Sequence, residues 1–165
     1  MLFRSLGVML RILAGQFRSR RLKTPRNNKT RPWIGRSKEN VFNHLRGHIE
    51  GGVVLDLFAG VGTMGLEAVS RGAKLVVFIE QDRRIFMILE ENIAMMDCKD
   101  RAIAVHSDAL STVPLLRVPR PVDVVFVDPP YAMMRDETMR ARLLDQIMQV
   151  AQLLEIGRAS CRERV

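Results

Sequence analysis

The sequence predicts an α/β protein with a parallel sheet flanked by helices. Three features indicate this fold: short apolar runs rich in β-branched residues, amphipathic segments that alternate with them, and a glycine-rich turn after the first run. Strands and helices in alternation join through right-handed crossovers, which place the strands in one parallel sheet. The chain has 165 residues, of which 47% are hydrophobic, enough for one domain with a substantial core.

The elements follow one another in a regular order. The strands are predicted at residues 53–57, 75–79, 103–105 and 122–127. The helices are predicted at residues 37–49, 63–71, 82–96 and 138–154, with Ser37 and Asp82 as N-caps. Ahead of them, residues 8–14 and 21–24 flank a basic turn and predict a small hairpin. The helical residues expected to face the core are Val41, Phe42, Leu45, Ile49, Ile85, Leu89, Ile93, Leu143, Leu144, Ile147 and Leu154, and Met87, Met95 and Met96 are expected to pack.

The glycine-rich turn predicts a cofactor site. Gly60, Gly62 and Gly65 fit the spacing G-x-G-x-x-G between a strand and a helix. Such a loop brings the backbone close to a ligand and directs helix-terminal N–H groups at it. Glu80 ends the next strand, where a carboxylate accepts hydrogen bonds from ribose hydroxyls. A nucleotide-like cofactor is therefore predicted, with a plain glycine connection as the alternative.

The segment Asp128-Pro129-Pro130-Tyr131 follows the fourth predicted strand and predicts a base-binding site. Two adjacent prolines hold the chain extended and leave its carbonyls available. Asp128 and the Pro129 carbonyl can accept hydrogen bonds from an exocyclic amine, and Tyr131 can stack on the base. Asp108, after the third strand, suits an adenine amino group or, equally, a cap on the following turn.

The positive charge is concentrated at the start of the chain. Residues 1–50 contain twelve Lys and Arg against Glu39 and Glu50, a net charge of +10, whereas the whole chain carries +8. A segregated basic region is typical of nucleic-acid binding. His44 and His48 are spaced i, i+4 without a third ligand, so no metal is predicted. The two cysteines and the lack of a membrane-spanning apolar run predict a cytoplasmic protein.

These motifs together resemble a known family. The segment DPPY is similar to the signature of amino-directed class I methyltransferases. The more specific likeness lies in the hairpin GQFRSRRLKTP, in Thr30-Arg31-Pro32, and in Lys38-Glu39 with Phe42-Asn43. With VLDLFAG and DPPY, they make residues 8–154 resemble the bacterial RsmD-like methyltransferases, which methylate the exocyclic N2 amine of a guanine in 16S ribosomal RNA.

The resemblance implies a fold, a cofactor and a set of site residues. The fold would be Rossmann-like, and because family members continue into further strands, the sheet would lack its last strands through C-terminal truncation. The cofactor would be S-adenosylmethionine, bound by Asp56, Phe58, Gly60, Gly62, Glu80, Asp108 and Ala109. Asp128, Pro129, Pro130 and Tyr131 would hold the guanine. Arg18, Arg20, Arg21, Lys23 and Arg31 would contact RNA phosphates.

The predicted organisation has three parts: a basic RNA-contacting arm at residues 1–50, a methyltransferase domain at 51–155 and a non-native tail at 156–165. The expected partner is 16S ribosomal RNA or an assembling small ribosomal subunit, with the protein acting as a monomer. Three alternatives remain: an adenine-N6 or other amino-methyltransferase on DNA or RNA, a nicotinamide-dependent dehydrogenase, and a non-catalytic RNA-binding fragment. The dehydrogenase would leave the DPPY segment and the basic arm unexplained.

Overall fold

The computed structural model describes residues 10–25 and 35–154, and the predicted α/β fold is confirmed there. The strands are β1 (Val53–Asp56), β2 (Leu75–Glu80), β3 (Ala102–His106) and β4 (Val124–Phe126). The helices are α1 (Gly35–His44), α2 (Arg46–Ile49), α3 (Thr63–Ser70), α4 (Arg83–Met95), α5 (Tyr131–Arg135) and α6 (Glu137–Ala151), and a 3-10 helix covers Val113–Arg117.

The four strands form one parallel sheet in the order β3-β2-β1-β4. The chain moves outward from β1 to β3 and then returns to place β4 on the other side of β1. A reversal of this kind creates a crevice at the carboxyl ends of β1 and β4, where open α/β sheets bind ligands. Asp56 lies at that end of β1, paired with Phe78 of β2 and Phe126 of β4.

Each face of the sheet carries its own core. Alternate strand residues point to opposite faces, so that Val54, Val76 and Phe78 pack with α3, α4 and the N-terminal segment. Leu55, Val77 and Ile79 pack on the other face with residues of the 3-10 helix and the end of α6. Both faces are therefore covered, which explains why the central strands are apolar throughout.

The predicted hairpin is present within residues 10–25. Arg11 pairs with Arg21 in antiparallel orientation, and the Leu22 amide donates to the Leu10 carbonyl at 2.9 Å. Ile12, Phe17 and Leu22 are buried in the same core as α3 and α4. The hairpin therefore turns an apolar side inward and leaves its basic side chains toward solvent.

A buried ionic cluster attaches the hairpin to α3. The Glu67 carboxylate on α3 accepts bonds from the Leu13 and Ala14 amides and pairs with Lys38 at 2.9 Å and Arg71 at 2.8 Å. Burial raises the pKa of Glu67, but the charge of Lys38 and the surrounding hydrogen bonds outweigh it, so the pKa is lowered overall. Burial lowers the pKa of Lys38 more than Glu67 raises it. The cluster joins the hairpin, α1 and α3.

Several predicted helix features are wrong. The helix predicted from Ser37 begins at Gly35, so Ser37 is not its N-cap, and a break at Leu45 divides it into α1 and α2. Leu144 is 58% exposed instead of facing the core, because the buried stripe of α6 runs through Leu143, Gln146 and Val150. Met87 and Met95 are exposed, and of the three methionines only Met96 packs in the core.

The fourth strand is shorter than predicted, because only Val124–Phe126 pairs with β1. Val122 instead forms a parallel bridge with Leu154, just beyond α6. The helix predicted at residues 138–154 corresponds to α6, and α5 is an additional helix between the DPPY segment and α6. Arg31 and the tail at residues 156–165 lie outside the described residues. In the described part of the chain, no helix is long and apolar enough to cross a membrane.

Candidate cofactor and base-binding site

The turn after β1 places the glycine loop, residues 57–62, above the central strands. The Leu57 amide donates to the Phe126 carbonyl and the Ala59 amide to the Ile79 carbonyl, each at 3.0 Å, which ties the loop to β4 and β2. Gly62 has a φ of +91°, a conformation that residues with a side chain rarely adopt. At Gly65, a Cβ atom would lie 2.2 Å from the Phe78 ring, so this glycine allows close helix–strand packing as predicted.

The amides of the three motif glycines donate within the protein, so the prediction that helix-terminal amides face a ligand does not hold for Gly65. Gly60 donates to Glu80 Oε2 and Gly65 to Asp56 Oδ2, each at 2.9 Å, and Gly62 donates to the Ala59 carbonyl at 2.8 Å. These amides hold the shape of the loop.

Asp56, Glu80 and Asp128 form an acidic edge at the carboxyl ends of the strands. Asp56 is 2% exposed, and burial raises the pKa of its carboxyl to about 7, against the lowering effect of the bond from Gly65. The negative charges of Asp128 and Glu80 also raise the Asp56 pKa, so the three side chains lie near one another. Such an edge favours a ligand that carries positive charge or hydroxyl donors.

Glu80 has a fixed orientation, because Oε2 accepts from the Gly60 amide and Oε1 accepts from the Asp82 amide at 2.7 Å. A carboxylate oxygen has two lone pairs, so each oxygen can still accept a further bond from a ligand hydroxyl. The position at the end of β2, beside the glycine loop, is the one expected of a ribose-binding residue.

The predicted adenine-side residues differ in their surroundings. Asp108 is exposed, its Oδ1 accepts from the Leu110 amide at 2.9 Å, and its Oδ2 lies 4.0 Å from Arg142. The turn-capping role of Asp108 is therefore present, whereas its contact with adenine stays a prediction. Ala109 is buried among strand residues, so it would meet a cofactor through its backbone. Phe58 is half-buried against the same core.

The DPPY segment follows β4 and leads into α5. Pro130 is extended, with φ −55° and ψ 138°, and its carbonyl accepts from the Met133 amide at 2.9 Å. That carbonyl is thus used by α5, contrary to the expectation that the segment's carbonyls are available. Tyr131 is 72% exposed, and the Arg135 guanidinium lies 4.6 Å from the centre of its ring. One face of Tyr131 is covered by Arg135, so a base would stack on the other.

The four described residues of the predicted RNA-binding set lie on the hairpin. Arg18 and Arg21 are exposed. Arg20 lies 5.2 Å from the Phe17 ring centre and donates to the Met95 carbonyl at 3.2 Å. Lys23 pairs with Glu91 on α4 at 2.9 Å, with both side chains about half exposed. The hairpin thus contacts α4 through Arg20 and Lys23.

Sequence reasoning missed two buried polar residues beside the glycine loop. Asn92 is fully buried and donates to the Val61 carbonyl at 3.0 Å. Lys38 is 2% exposed and donates to the Thr63 carbonyl at 3.1 Å. A polar residue within the apolar stripe of a predicted helix was the available signal for Asn92, which lies between Leu89 and Ile93. The same signal was available for Lys38, which precedes Val41, Phe42 and Leu45 by three, four and seven residues and so lies on their helical stripe.

The fold and the site define a class of protein. A parallel sheet in the order β3-β2-β1-β4 has a glycine loop after β1, a carboxylate at the end of β2, and a DPPY segment after β4. This combination is that of a Rossmann-like methyltransferase.

Comparisons with known proteins identify the family. Residues 10–158 match the family described as Conserved hypothetical protein 95. Ribosomal RNA small subunit methyltransferase D of Escherichia coli K12 is 39% identical over 122 residues, which cover 74% of this chain and 60% of the relative. The Haemophilus influenzae protein of the same name is 38% identical over 125 residues, covering 74% and 64%. The chain belongs to this family of RsmD-like methyltransferases.

A solved structure agrees with this assignment. A hypothetical protein of Thermus thermophilus superimposes with a TM-score of 0.71 at 31% identity, covering 89% of this chain and 81% of that chain. The present chain spans only 60% and 64% of the two curated relatives.

Proposed function

We propose that this chain uses S-adenosylmethionine to methylate the exocyclic N2 amine of a guanine in 16S ribosomal RNA. The observation that carries the proposal is the DPPY segment next to Asp56 and Glu80, all at the carboxyl ends of the strands. The names of the curated relatives support ribosomal RNA of the small subunit as the substrate.

The acidic edge suits S-adenosylmethionine better than a nicotinamide dinucleotide. The first ligand carries an ammonium and a sulfonium group, whereas the second carries a diphosphate that the carboxylates of Asp56 and Glu80 would repel. Asp56 with Gly60 and Gly62 would hold the methionine end, Glu80 the ribose, and Asp108 with Ala109 and Phe58 the adenosine. The bound cofactor would supply an electrophilic methyl group.

The DPPY segment would bind and orient the target base. Asp128 and the Pro129 carbonyl would accept hydrogen bonds from the guanine amine, which favours a pyramidal nitrogen whose lone pair is less delocalised into the ring. Pro130 fixes the backbone, and Tyr131 offers one ring face for stacking. Because the alkylated nitrogen is acidic, positioning rather than a strong base carries the reaction. The base must leave its stack, which costs a few kcal/mol and favours exposed nucleotides.

The hairpin would contact the RNA backbone. Its apolar side is buried, so the exposed Arg18 and Arg21, together with Arg20, Lys23 and Arg31, would meet phosphates. Naked 16S ribosomal RNA and an assembling small subunit both present such phosphates, and a monomer is sufficient for this contact. Phosphate contacts would orient the protein without reading sequence.

The test is a methyl-transfer assay on 16S ribosomal RNA with mass spectrometry of the digested nucleosides. N2-methylguanosine is the expected product, and N6-methyladenosine would instead support the adenine-directed alternative. Asp128→Ala should abolish transfer while cofactor affinity changes little. Asp123→Ala is the matched control, because Asp123 lies at the opposite end of β4, where it accepts from the Val53 amide. Equal loss of transfer and cofactor binding in Asp128→Ala would contradict the assigned role.

A further inference from the structure

Asn92 links two parts of the molecule that are far apart in the sequence. Its Oδ1 accepts from the Lys23 amide at 2.8 Å, and its Nδ2 donates to the Lys23 carbonyl at 3.1 Å. The same Nδ2 donates to the Val61 carbonyl at 3.0 Å. Lys23 ends the basic hairpin, whereas Val61 lies between Gly60 and Gly62 in the glycine loop. One planar amide therefore holds both backbones.

The burial of Asn92 makes this link stiff. The residue is fully buried on the face of α4 that also carries Leu89 and Ile93. A buried amide is costly unless it is bonded, and moving either backbone would break a bond that the apolar neighbours cannot replace. We therefore expect that a displacement of the Lys23 backbone also displaces the Val61 carbonyl.

Lys38 makes a second link of the same kind. Its Nζ donates to the Thr63 carbonyl, which directly follows the glycine loop, and lies 3.5 Å from the Arg11 carbonyl of the hairpin. The hairpin is thus connected to both the middle and the end of the loop.

The Lys23 side chain provides a trigger next to Asn92. Its ammonium pairs with Glu91, the residue before Asn92 on α4, and both side chains are about half exposed. A phosphate that bound this ammonium would compete with Glu91 for it. The backbone of Lys23, which is hydrogen-bonded to Asn92, would shift when the Lys23 side chain turned from Glu91 to the phosphate.

We propose that Asn92 is a positioning residue that couples RNA binding at the hairpin to cofactor binding at the glycine loop. This inference rests on the proposed function, because it needs both ligands. Coupling between two sites is reciprocal, so RNA must change the affinity for S-adenosylmethionine by the same factor as the cofactor changes the affinity for RNA.

The experiment measures the dissociation constant of S-adenosylmethionine by titration calorimetry, with and without a saturating 16S ribosomal RNA transcript. The wild-type chain should bind the cofactor at least about fivefold more tightly when RNA is present. Asn92→Leu, which has the same branching at Cγ and no hydrogen-bonding groups, should bring this ratio close to one. If Asn92→Leu does not fold, Asn92→Asp replaces it, because it keeps an acceptor for the Lys23 amide and loses the donation to Val61.

Ser70→Ala is the matched control. The Ser70 hydroxyl also ties the hairpin to α3, accepting from the Phe17 amide at 2.9 Å and donating to the Ala14 carbonyl at 2.6 Å. It lies at the far end of α3, about 10 Å from the glycine loop. This variant should loosen the hairpin and keep the wild-type ratio, which a purely structural role for Asn92 would not predict.

The outcomes separate this inference from the proposed function. If the wild-type chain binds both ligands with independent affinities, or if Asn92→Leu keeps the wild-type ratio, the coupling is refuted and the proposed function stands. If Ser70→Ala loses the coupling as fully as Asn92→Leu, the role of Asn92 is only structural. If the wild-type chain does not bind S-adenosylmethionine, the proposed function fails and this inference fails with it.

Discussion

Replacing Asp56 with Asn should change how the stability of the protein depends on pH. Asp56 is almost fully buried, and burial raises its pKa from 3.8 to about 7. Asn keeps an oxygen that can accept from the Gly65 amide, so the start of α3 keeps its bond. What the variant loses is the titrating carboxyl and its negative charge beside Asp128 and Glu80.

The pKa shift gives the size and the sign of the effect. Between pH 4 and pH 7 the folded state holds a proton on Asp56 that the unfolded chain releases, so the contribution of Asp56 to stability falls as the pH rises. A shift of about three pKa units corresponds to about 4 kcal/mol, all of it lost above pH 7. Relative to the wild type, Asp56→Asn should therefore gain about 4 kcal/mol between pH 4 and pH 8.

Urea denaturation of both proteins at intervals from pH 4 to pH 8 measures this gain. Taking the difference in unfolding free energy between the two proteins at each pH cancels the other titrating groups. The difference should move steadily in favour of the variant up to about pH 7 and level off above it. A difference that stays constant across this range would refute the conclusion that the buried Asp56 titrates near neutrality.

Three further predictions concern the ionic cluster, the helix–strand contact and the hairpin. Glu67→Gln should destabilise the fold by about 3–5 kcal/mol at pH 7, because the buried Lys38 loses its charged partner. Since the Glu67 pKa is lowered in the folded state, this loss of stability, measured by urea denaturation, should shrink as the pH falls below about 4.5. Gly65→Ala should cost about 1–3 kcal/mol by denaturation, because its Cβ would overlap a buried ring; an unchanged midpoint would contradict that close packing. Replacing Arg20 and Arg21 with Glu should weaken RNA binding and reduce its salt dependence. The slope of log binding constant against log salt concentration should fall in magnitude by roughly 0.7 for each phosphate that is no longer neutralised. An unchanged slope would show that these residues do not contact the RNA.

The parts of the fold that the sequence predicted are those with local signals. The apolar run of β1, the glycine spacing and the acid that ends β2 lie within 30 residues, and each has a physical meaning without knowledge of the rest of the chain. The break between α1 and α2 lacks such a signal, because Leu45 fits the apolar stripe. The five residues of α5 are too few to show a helical period, and α5 was missed for that reason.

The polar framework of the site could not be predicted, because its partners are distant in the sequence. Glu67 accepts from an amide 54 residues away, and Asn92 bonds a backbone 69 residues away. A sequence pattern shows that a residue is polar, but not that a remote backbone group will meet it. The inward direction of the glycine amides has the same origin, since it depends on where the Glu80 and Asp56 carboxylates lie.

The measurement that tests the account most directly is a calorimetric titration of the purified chain at pH 8 with S-adenosylmethionine and, separately, with a nicotinamide dinucleotide. At this pH Asp56 carries its charge, so the acidic edge should attract the cationic ligand and repel the diphosphate. Saturable binding of S-adenosylmethionine alone is the predicted result. Binding of the dinucleotide in preference to S-adenosylmethionine would contradict both the proposed cofactor and the reasoning from the acidic edge.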